Sequence, residues 1–134
     1  MATTPDTRVR DAVPDDADTI GRLLHDFNTE FDSPTPDAAS FGRRFRSLLA
    51  RPDVLVALAE NELGRPTGFA FLTLRPTPYY DGLLAQLEEL YVVPTLRDRG
   101  IGTALLVHAI DEVRARGAAE VHINVDEIDT DTRR

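Results

Sequence analysis

The sequence predicts an α/β (α+β) fold in which helices flank a mixed, mostly antiparallel central sheet. Three apolar, strand-like segments cover residues 54–60, 67–75 and 84–93, and the loops between them, residues 61–66 and 76–82, are polar or rich in turn residues. Short connections of this kind favour antiparallel pairing. A further helical pattern lies between the third segment and a last strand. Strands joined by a helix pair in parallel, so the predicted sheet is mixed.

Length and composition predict one domain, residues 1–134. A chain of 134 residues can bury about two thirds of its unfolded surface in a single core. The content of 42% hydrophobic and 28% charged residues is typical of a soluble globular protein. The sequence has no apolar run as long as a membrane span, and its first residues lack the apolar centre of a signal peptide. We therefore expect a cytoplasmic protein with no membrane partner.

Charge and cysteine content exclude several function classes. The net charge of −8 argues against sequence-independent nucleic-acid binding, which needs clustered basic side chains, and fits a cationic or amine substrate better. The chain has no cysteine, so disulfides, thiolate metal sites and a cysteine nucleophile are excluded. His25, His108 and His122 show no ligand spacing, and no metal site is predicted. His108 is expected to be solvated.

The first half of the chain is predicted to hold one strand and two helices. Residues Arg8 to Ala12 are predicted to form the strand. The first helix is predicted to begin at Pro14, because proline is favoured in the first turn of a helix. Thr35 is the expected N-cap of the second helix, with Pro36 at its first position. Apolar residues recur at helical spacing in both: Ile20, Leu23, Leu24, Phe27 and Phe31 in the first, and Phe41, Phe45, Leu48 and Leu49 in the second. The second helix also carries three arginines that are expected on its solvated face, with contact to a phosphate group of a ligand as the alternative: Arg43, Arg44 and Arg46.

The second half is predicted to end in a helix and a strand. Ala104 to Arg116 has one apolar face, and Gly117 stands at its C-terminal cap. Apolar and polar residues alternate after it, with Val121, Ile123 and Val125 on one side. This strand is predicted to lie parallel to the strand that precedes the helix.

A glycine-containing turn between the third strand and this helix is the strongest functional signal. Pro94 ends the strand, Gly100 and Gly102 let the backbone turn, and the free N–H groups of the helix N-terminus can hold an anion. Arg97 and Arg99 add positive charge. The segment fits neither a dinucleotide fingerprint, since Leu105 occupies the third glycine position, nor a Walker loop, since the chain has no lysine. An ordinary helix-entry turn is the alternative.

The pattern Arg97-x-x-Gly100-x-Gly102, preceded by Val92-x-Pro94, resembles the acyl-CoA loop of the GNAT superfamily of N-acetyltransferases. The order of predicted elements resembles that family as far as Val125. The resemblance implies that the cofactor is acetyl-CoA or a close acyl-CoA. It further implies main-chain hydrogen bonds to the pantetheine arm from Leu90, Tyr91 and Val92, and a pyrophosphate cradle formed by Arg97, Asp98, Arg99, Gly100, Ile101, Gly102 and Thr103.

The same resemblance assigns catalytic and substrate residues. Glu88 would be the base that takes the amine proton through water, with Glu89 as second candidate, and the Val92 N–H would hold the oxyanion. Strand alternation predicts that Glu88 shares a face with Leu90 and Val92. A charge pair at a sheet edge is the alternative. Three residues in the preceding loop are expected to line the amine pocket, unless they are simply exposed: Tyr79, Tyr80 and Asp81.

The sequence departs from the family at its C-terminus. Asp129 stands where GNAT proteins carry an asparagine, and Arg134 precedes the position of the family's thiolate-protonating tyrosine. The predicted domain is thus incomplete, lacking the last helix and strand, and is either a truncated form or one whose partner subunit, as in a homodimer, supplies the missing wall. The resemblance implies acetyl transfer to a small-molecule primary amine by direct attack in a ternary complex. The alternative is a catalytically impaired acyl-CoA-binding domain that acts as a sensor or assembly subunit.

Overall fold

A computed structural model describes residues 7–123 of the chain. The strands are β1 (Arg8–Asp11), β2 (Val54–Glu60), β3 (Pro66–Pro76), β4 (Leu83–Val92) and β5 (Ala118–His122). The helices are α1 (Ala17–Glu30), α2 (Ala38–Leu48) and α3 (Ile101–Ala115). Short 3₁₀ turns at Pro14–Asp16 and Pro94–Leu96 precede α1 and the glycine turn.

The five strands form one sheet in the order β1-β2-β3-β4-β5. The first three neighbouring pairs are antiparallel, whereas β4 and β5 are parallel because α3 connects them. The predicted fold class, including the parallel last strand, is confirmed. The helix and strand that the sequence predicts to be missing would follow the described residues.

Helices cover both faces of the sheet, and each face has its own apolar core. Period-two alternation along β2 sends one set of side chains to each side. The core on the α3 side includes Leu55, Ala57, Leu72, Leu87, Leu90, Val92, Leu105 and Ala109. The core on the α1 and α2 side includes Ile20, Leu24, Phe45, Val56, Leu58, Phe69 and Tyr91.

The helices α1 and α2 approach each other closely at Gly21 and Gly42, a contact that no sequence pattern indicates. A Cβ on Gly21 would lie 2.6 Å from the backbone nitrogen of Gly42, well inside van der Waals contact. A Cβ on Gly42 would collide with Asp18 of α1. The close approach of these helices therefore depends on the absence of side chains at both positions.

Two local predictions were wrong. The N-cap of α2 is Asp37, whose carboxylate accepts from the Ser40 backbone nitrogen at 2.8 Å, while Thr35 lies before the helix. A carboxylate three residues from a free N–H is a better cap than a more distant hydroxyl. His108 is not simply solvated: its Nε2 lies 2.7 Å from Asp11 Oδ1 and joins α3 to β1.

The helices show two further features. The three arginines of α2 are exposed, as predicted: Arg43, Arg44 and Arg46. Between residues 7 and 123, every helix is too short or too polar to cross a bilayer.

Arg10 joins three elements of the sheet edge. Its guanidinium donates to both carboxylate oxygens of Asp16 at 2.9 Å and to those of Glu60 at 3.1 and 3.2 Å. Asp16 also accepts from the Val13 N–H at 2.8 Å. The hydrogen bond from Arg10 holds the pKa of Asp16 below its usual 3.8, against the opposing effect of burial.

We expect Asp16→Asn to lower the free energy of unfolding by about 1–2 kcal/mol at neutral pH, because the Arg10 guanidinium and the Val13 N–H lose a charged acceptor. A lowered pKa in the folded state means that the unfolded chain binds more protons. This contribution is therefore present above 3.8 and is lost as the pH falls through the lower folded value. Urea titrations at neutral pH and at about pH 2 measure the difference. The exposed neighbour gives the control Asp15→Asn, and a deficit in Asp16→Asn that is undiminished in acid would contradict the prediction.

Candidate functional site

The strands β4 and β5 pair only along the first part of β4. Their ladder runs from Leu83 opposite Ala118 to Gln86 opposite His122. Within residues 7–123, no strand pairs with residues 87–92 of β4 on this side. The result is a gap in the sheet beside the C-terminal half of β4.

The ladder between β3 and β4 shows which backbone groups face this gap. The Val93 N–H donates to the Thr67 carbonyl at 2.9 Å, so these opposed residues form a hydrogen-bonded pair. Such pairs alternate with non-bonded pairs along an antiparallel ladder. The register places Gly68 opposite Val92 and Ala70 opposite Leu90 in non-bonded positions. The N–H groups of Val92 and Leu90 therefore point away from β3 and into the gap.

A β-bulge at Glu88 corrects one prediction. Phe71 of β3 lies opposite Glu89, but the next residue, Leu72, lies opposite Leu87, so Glu88 is an extra residue in β4. The extra residue reverses the alternation of side chains. Leu87 therefore shares the α3-side core with Leu90 and Val92, and the prediction that Glu88 shares their face was wrong.

The two predicted carboxylates of β4 have different surroundings. Glu88 is exposed, and its Oε2 accepts from the Thr73 hydroxyl at 2.7 Å. Glu89 is partly buried and lies opposite Phe71, which packs on the α1 and α2 side. Cross-strand partners share a face of the sheet. Glu89 is therefore directed toward α1 and α2, while Glu88 lies at the bulge, two residues after the last β4–β5 pair.

A cleft of about 270 Å³ opens between the end of β4 and the start of α3. Most residues that the sequence predicts to bind the cofactor line it, and two apolar residues, Leu96 and Leu106, were not foreseen there. The complete lining is Leu90, Val92, Leu96, Arg97, Asp98, Gly100, Ile101, Gly102, Thr103 and Leu106. Arg99 is exposed and is not part of the lining.

The backbone of the glycine turn exposes N–H groups to this cleft. Asp98 and Gly100 have positive φ angles of 64° and 85°, so the turn just before α3 uses left-handed backbone conformations. Ala104 is the first residue of α3 whose N–H returns to the Gly100 carbonyl, at 3.0 Å. The preceding N–H groups have no partner within the helix and lie at the positive end of its dipole.

Gly102 leaves room in the same wall. A Cβ built on Gly102 would meet only a methyl group of Val92, at 3.8 Å, an ordinary van der Waals distance. The protein therefore does not require glycine here for its own packing. The absence of a side chain keeps the cleft open beside the free N–H groups.

Arg97 makes contacts that the sequence did not indicate. Its terminal nitrogens donate to the two carboxylate oxygens of Glu30 at 2.7 and 2.9 Å, and its Nε donates to the Val92 carbonyl at 2.9 Å. The guanidinium carbon lies 5.7 Å from the centre of the Tyr91 ring. Much of its charge is therefore balanced by α1.

Tyr91 differs from the two residues beside it. The residue is 3% exposed, and its ring packs on the α1 side, with the ring centres of Phe27 and Phe69 at 5.1 and 6.4 Å. Tyr91 lies opposite Phe69 in a hydrogen-bonded position of the ladder, so its amide groups face β3. Only alternate residues of β4 direct their amide groups into the gap, and the predicted main-chain contact from Tyr91 to a cofactor stays a prediction.

The loop with Tyr79, Tyr80 and Asp81 lies at the other end of β4. Nine strand steps separate Leu83 from Val92, about 30 Å at about 3.3 Å per residue. Tyr79 is 87% exposed, and the Tyr80 hydroxyl donates to Glu120 at 2.9 Å. The structure does not bring these three side chains to the cleft, and their role in an amine pocket stays a prediction. Val125 and Asp129 lie outside the described residues.

The chain matches a known family over most of its length. Residues 18–134 match the Acetyltransferase (GNAT) family. An aminoglycoside N(6')-acetyltransferase type 1 from Klebsiella aerogenes is 44% identical over 75 residues, which are 54% of this chain and 48% of that protein. The match to this curated relative therefore spans about half of its length.

Solved structures have the same fold. A protein from Arthrobacter sp. FB24, provisionally assigned as an acetyltransferase, is 46% identical with a TM-score of 0.82, over 98% of this chain and 82% of that one. An aminoglycoside acetyltransferase from an uncultured soil metagenomic sample, solved with sisomicin, has a TM-score of 0.76 and 21% identity, over 92% and 80% of the two chains. At that identity the second match shows the fold alone.

Proposed function

Because the chain belongs to the acetyltransferase (GNAT) family, we propose that it transfers the acetyl group of acetyl-CoA to a primary amine of a small molecule, by direct attack in a ternary complex. One observation carries this proposal. The N–H groups of Leu90 and Val92 face a gap in the sheet, and the cleft at the N-terminus of α3 adjoins the same residues. An extended arm in the gap and a phosphate group at the helix N-terminus would be held by one continuous surface.

The residues of the cleft fit acetyl-CoA. Backbone N–H groups around Gly100 and at the start of α3 would bind the pyrophosphate, and Gly102 leaves space for its approach. Leu90 and Val92 would hold the pantetheine arm through their amides. Acetyl-CoA supplies an acetyl group already activated as a thioester. The residues of the chain would orient the thioester, stabilise the negative charge that develops on its oxygen and accept the proton of the amine.

Val92 is the residue best placed to stabilise charge during transfer. Its N–H faces the gap, and its side chain is buried in the α3-side core. A donor fixed in this way requires little reorganisation when negative charge develops on the thioester oxygen. This supports the predicted role of the Val92 N–H as oxyanion donor.

Glu88 remains the proposed base. Its carboxylate is exposed and held by Thr73, at the bulge close to where the gap begins. Water can therefore lie between this carboxylate and an amine in the gap, and proton transfer through one water needs no direct contact. Glu89 is the second candidate and would act from the α1 and α2 side.

The proposed amine acceptor follows from the net charge of the chain and from the activity of a related protein. A net charge of −8 favours the approach of a cation, and the Klebsiella aerogenes relative is an aminoglycoside acetyltransferase. An aminoglycoside is therefore the first acceptor to test, followed by polyamines and amino acids. Thiol release from acetyl-CoA should be measured over such a panel. Acetyl-CoA binding without thiol release for any amine would favour the sensor or assembly role.

We expect Gly102→Val to weaken acetyl-CoA binding by roughly tenfold or more, because its methyl groups would enter the space beside the free N–H groups. The nearest protein atom to a Cβ is 3.8 Å away, so the variant should fold. Gly100→Val would be a less clear test, since the φ of 85° at Gly100 strains any β-branched residue.

Isothermal calorimetry with acetyl-CoA gives the measurement for Gly102→Val. The matched control is Ala115→Val, which adds the same side chain at an exposed position in the last turn of α3. Unchanged affinity in a folded Gly102→Val protein would refute the cofactor site.

Glu88→Gln should lower kcat about a hundredfold to ten-thousandfold at neutral pH, with acetyl-CoA affinity nearly unchanged. The loss should shrink at high pH, where the amine loses its proton unaided. A carboxylate that only anchored the substrate would instead raise KM. The pH profile of kcat for the parent, Glu88→Gln and Glu89→Gln measures this, on a chain that includes any further C-terminal segment needed for activity. Equal kcat for Glu88→Gln and the parent at every pH would exclude Glu88 as the base, and a large loss in Glu89→Gln would assign that role to its neighbour.

A further inference from the structure

Arg97 stands at the start of the glycine turn, but its side-chain contacts reach to α1 and β4. Both oxygens of Glu30 accept from its terminal nitrogens, and the Val92 carbonyl accepts from Nε. The side chains of Arg97 and Glu30 are only 21% and 26% exposed. Three directed bonds fix the plane of a guanidinium, and bidentate carboxylate pairs are among the strongest that arginine makes. Turning this group toward a phosphate would break the pair.

The contact with Val92 affects the chemistry of the gap. In its non-bonded ladder position, Val92 directs both its N–H and its carbonyl away from β3. The carbonyl oxygen would repel negative charge that develops nearby. Because the guanidinium of Arg97 binds that oxygen, the N–H is the group that Val92 offers to a thioester oxygen.

The contact with Glu30 ties a second element to the same point. Glu30 is the last residue of α1, where a cation is also favoured by the helix dipole. The guanidinium carbon of Arg97 lies near the Tyr91 ring, and that ring packs on Phe27 of α1. The end of α1, the end of β4 and the glycine turn are thus joined through one side chain.

We infer that Arg97 and Glu30 are a positioning pair for the acetyl-transfer step, which hold the backbone of Val92 and the end of α1 in place, while backbone N–H groups bind the pyrophosphate. This inference rests on the proposed function. It changes the role of Arg97 from cofactor ligand to positioning residue. It also gives Glu30, a residue outside the sequence motif, a part in the reaction.

The variant Glu30→Gln separates the two roles of Arg97. If Arg97 and Glu30 are a positioning pair, Glu30→Gln should lower kcat roughly tenfold to a hundredfold, because Val92 is then misplaced. The Kd for CoA should change by less than about twofold. A phosphate-binding arginine predicts the opposite effect on binding. Removal of the Glu30 carboxylate would then release Arg97 to bind the phosphate, and the affinity for CoA would rise.

Variants of Arg97 complete the comparison. Arg97→Gln should reproduce the kcat loss of Glu30→Gln, and the double variant should lose no more than either single one, since both remove the same unit. Arg97→Lys keeps the charge but not the planar fork. Arg97→Lys should therefore show the same loss of kcat as Arg97→Gln. If Arg97→Gln does not fold, Arg97→Lys can be compared with Glu30→Gln in its place.

The pair Arg51 and Asp53 supplies a matched control. It is also bidentate, with two contacts of 2.8 Å, and neither residue lines the cleft. Arg51→Gln and Asp53→Asn change the net charge in the same way and should leave kcat and CoA affinity unchanged.

The assay should report kcat per folded molecule, with the folded fraction taken from circular dichroism, because a merely structural pair would lower the folded fraction alone. Tighter CoA binding by Glu30→Gln, or unchanged kcat per folded molecule in Glu30→Gln and Arg97→Lys, would overturn the inference. A parent protein that binds no acetyl-CoA would instead refute the proposed function.

Discussion

The end of the β4–β5 ladder at Gln86 is the constraint on which the site depends. After Gln86, and within residues 7–123, no strand forms hydrogen bonds with the backbone of β4 on the side of β5. Unpaired amides in a partly buried strand need partners, and an extended ligand with its own amides could provide them. The bulge at Glu88 follows at once. It restores Leu90 and Val92 to the α3-side core while their N–H groups face the gap.

The glycine turn shows how one short segment serves both packing and binding. The chain leaves β4 at Val92, makes a 3₁₀ turn at Pro94–Leu96 and enters α3 through Gly100 at a φ of 85°. This path brings the start of α3 back against β4, with Ile101 and Leu105 in the core. The N-terminus of α3 is thereby fixed beside the gap, so the dipole and the free N–H groups are oriented before any ligand arrives.

Local patterns predicted much of this structure, and long-range contacts explain the rest. Strand and helix order and the parallel β5 follow from periodicity and from proline and glycine positions within short segments, whereas most of the cleft lining was predicted from the resemblance of one short segment to the GNAT acyl-CoA loop. The bulge at Glu88 could not be foreseen, because it depends on the register between two strands. The pair between Arg97 and Glu30 spans 67 positions, and that between His108 and Asp11 spans 97. Single-sequence patterns contain no signal for such partners, so Arg97 was assigned from its motif alone.

Charge is distributed unequally across the end of β4, and this bears on how two substrates could meet there. The α3 side offers helix N-terminal amides, which favour an anion. The α1 side carries acids: burial raises the pKa of Tyr91, and the nearby carboxylates of Glu30 and Asp26 raise it further, whereas Arg97 opposes them. Because Arg97 pairs with Glu30, these opposite charges largely offset each other on that side. Under the proposed function, the anionic part of the acyl donor would therefore be held on the α3 side, and the gap beside Leu90 and Val92 is where its acyl group would meet the acceptor.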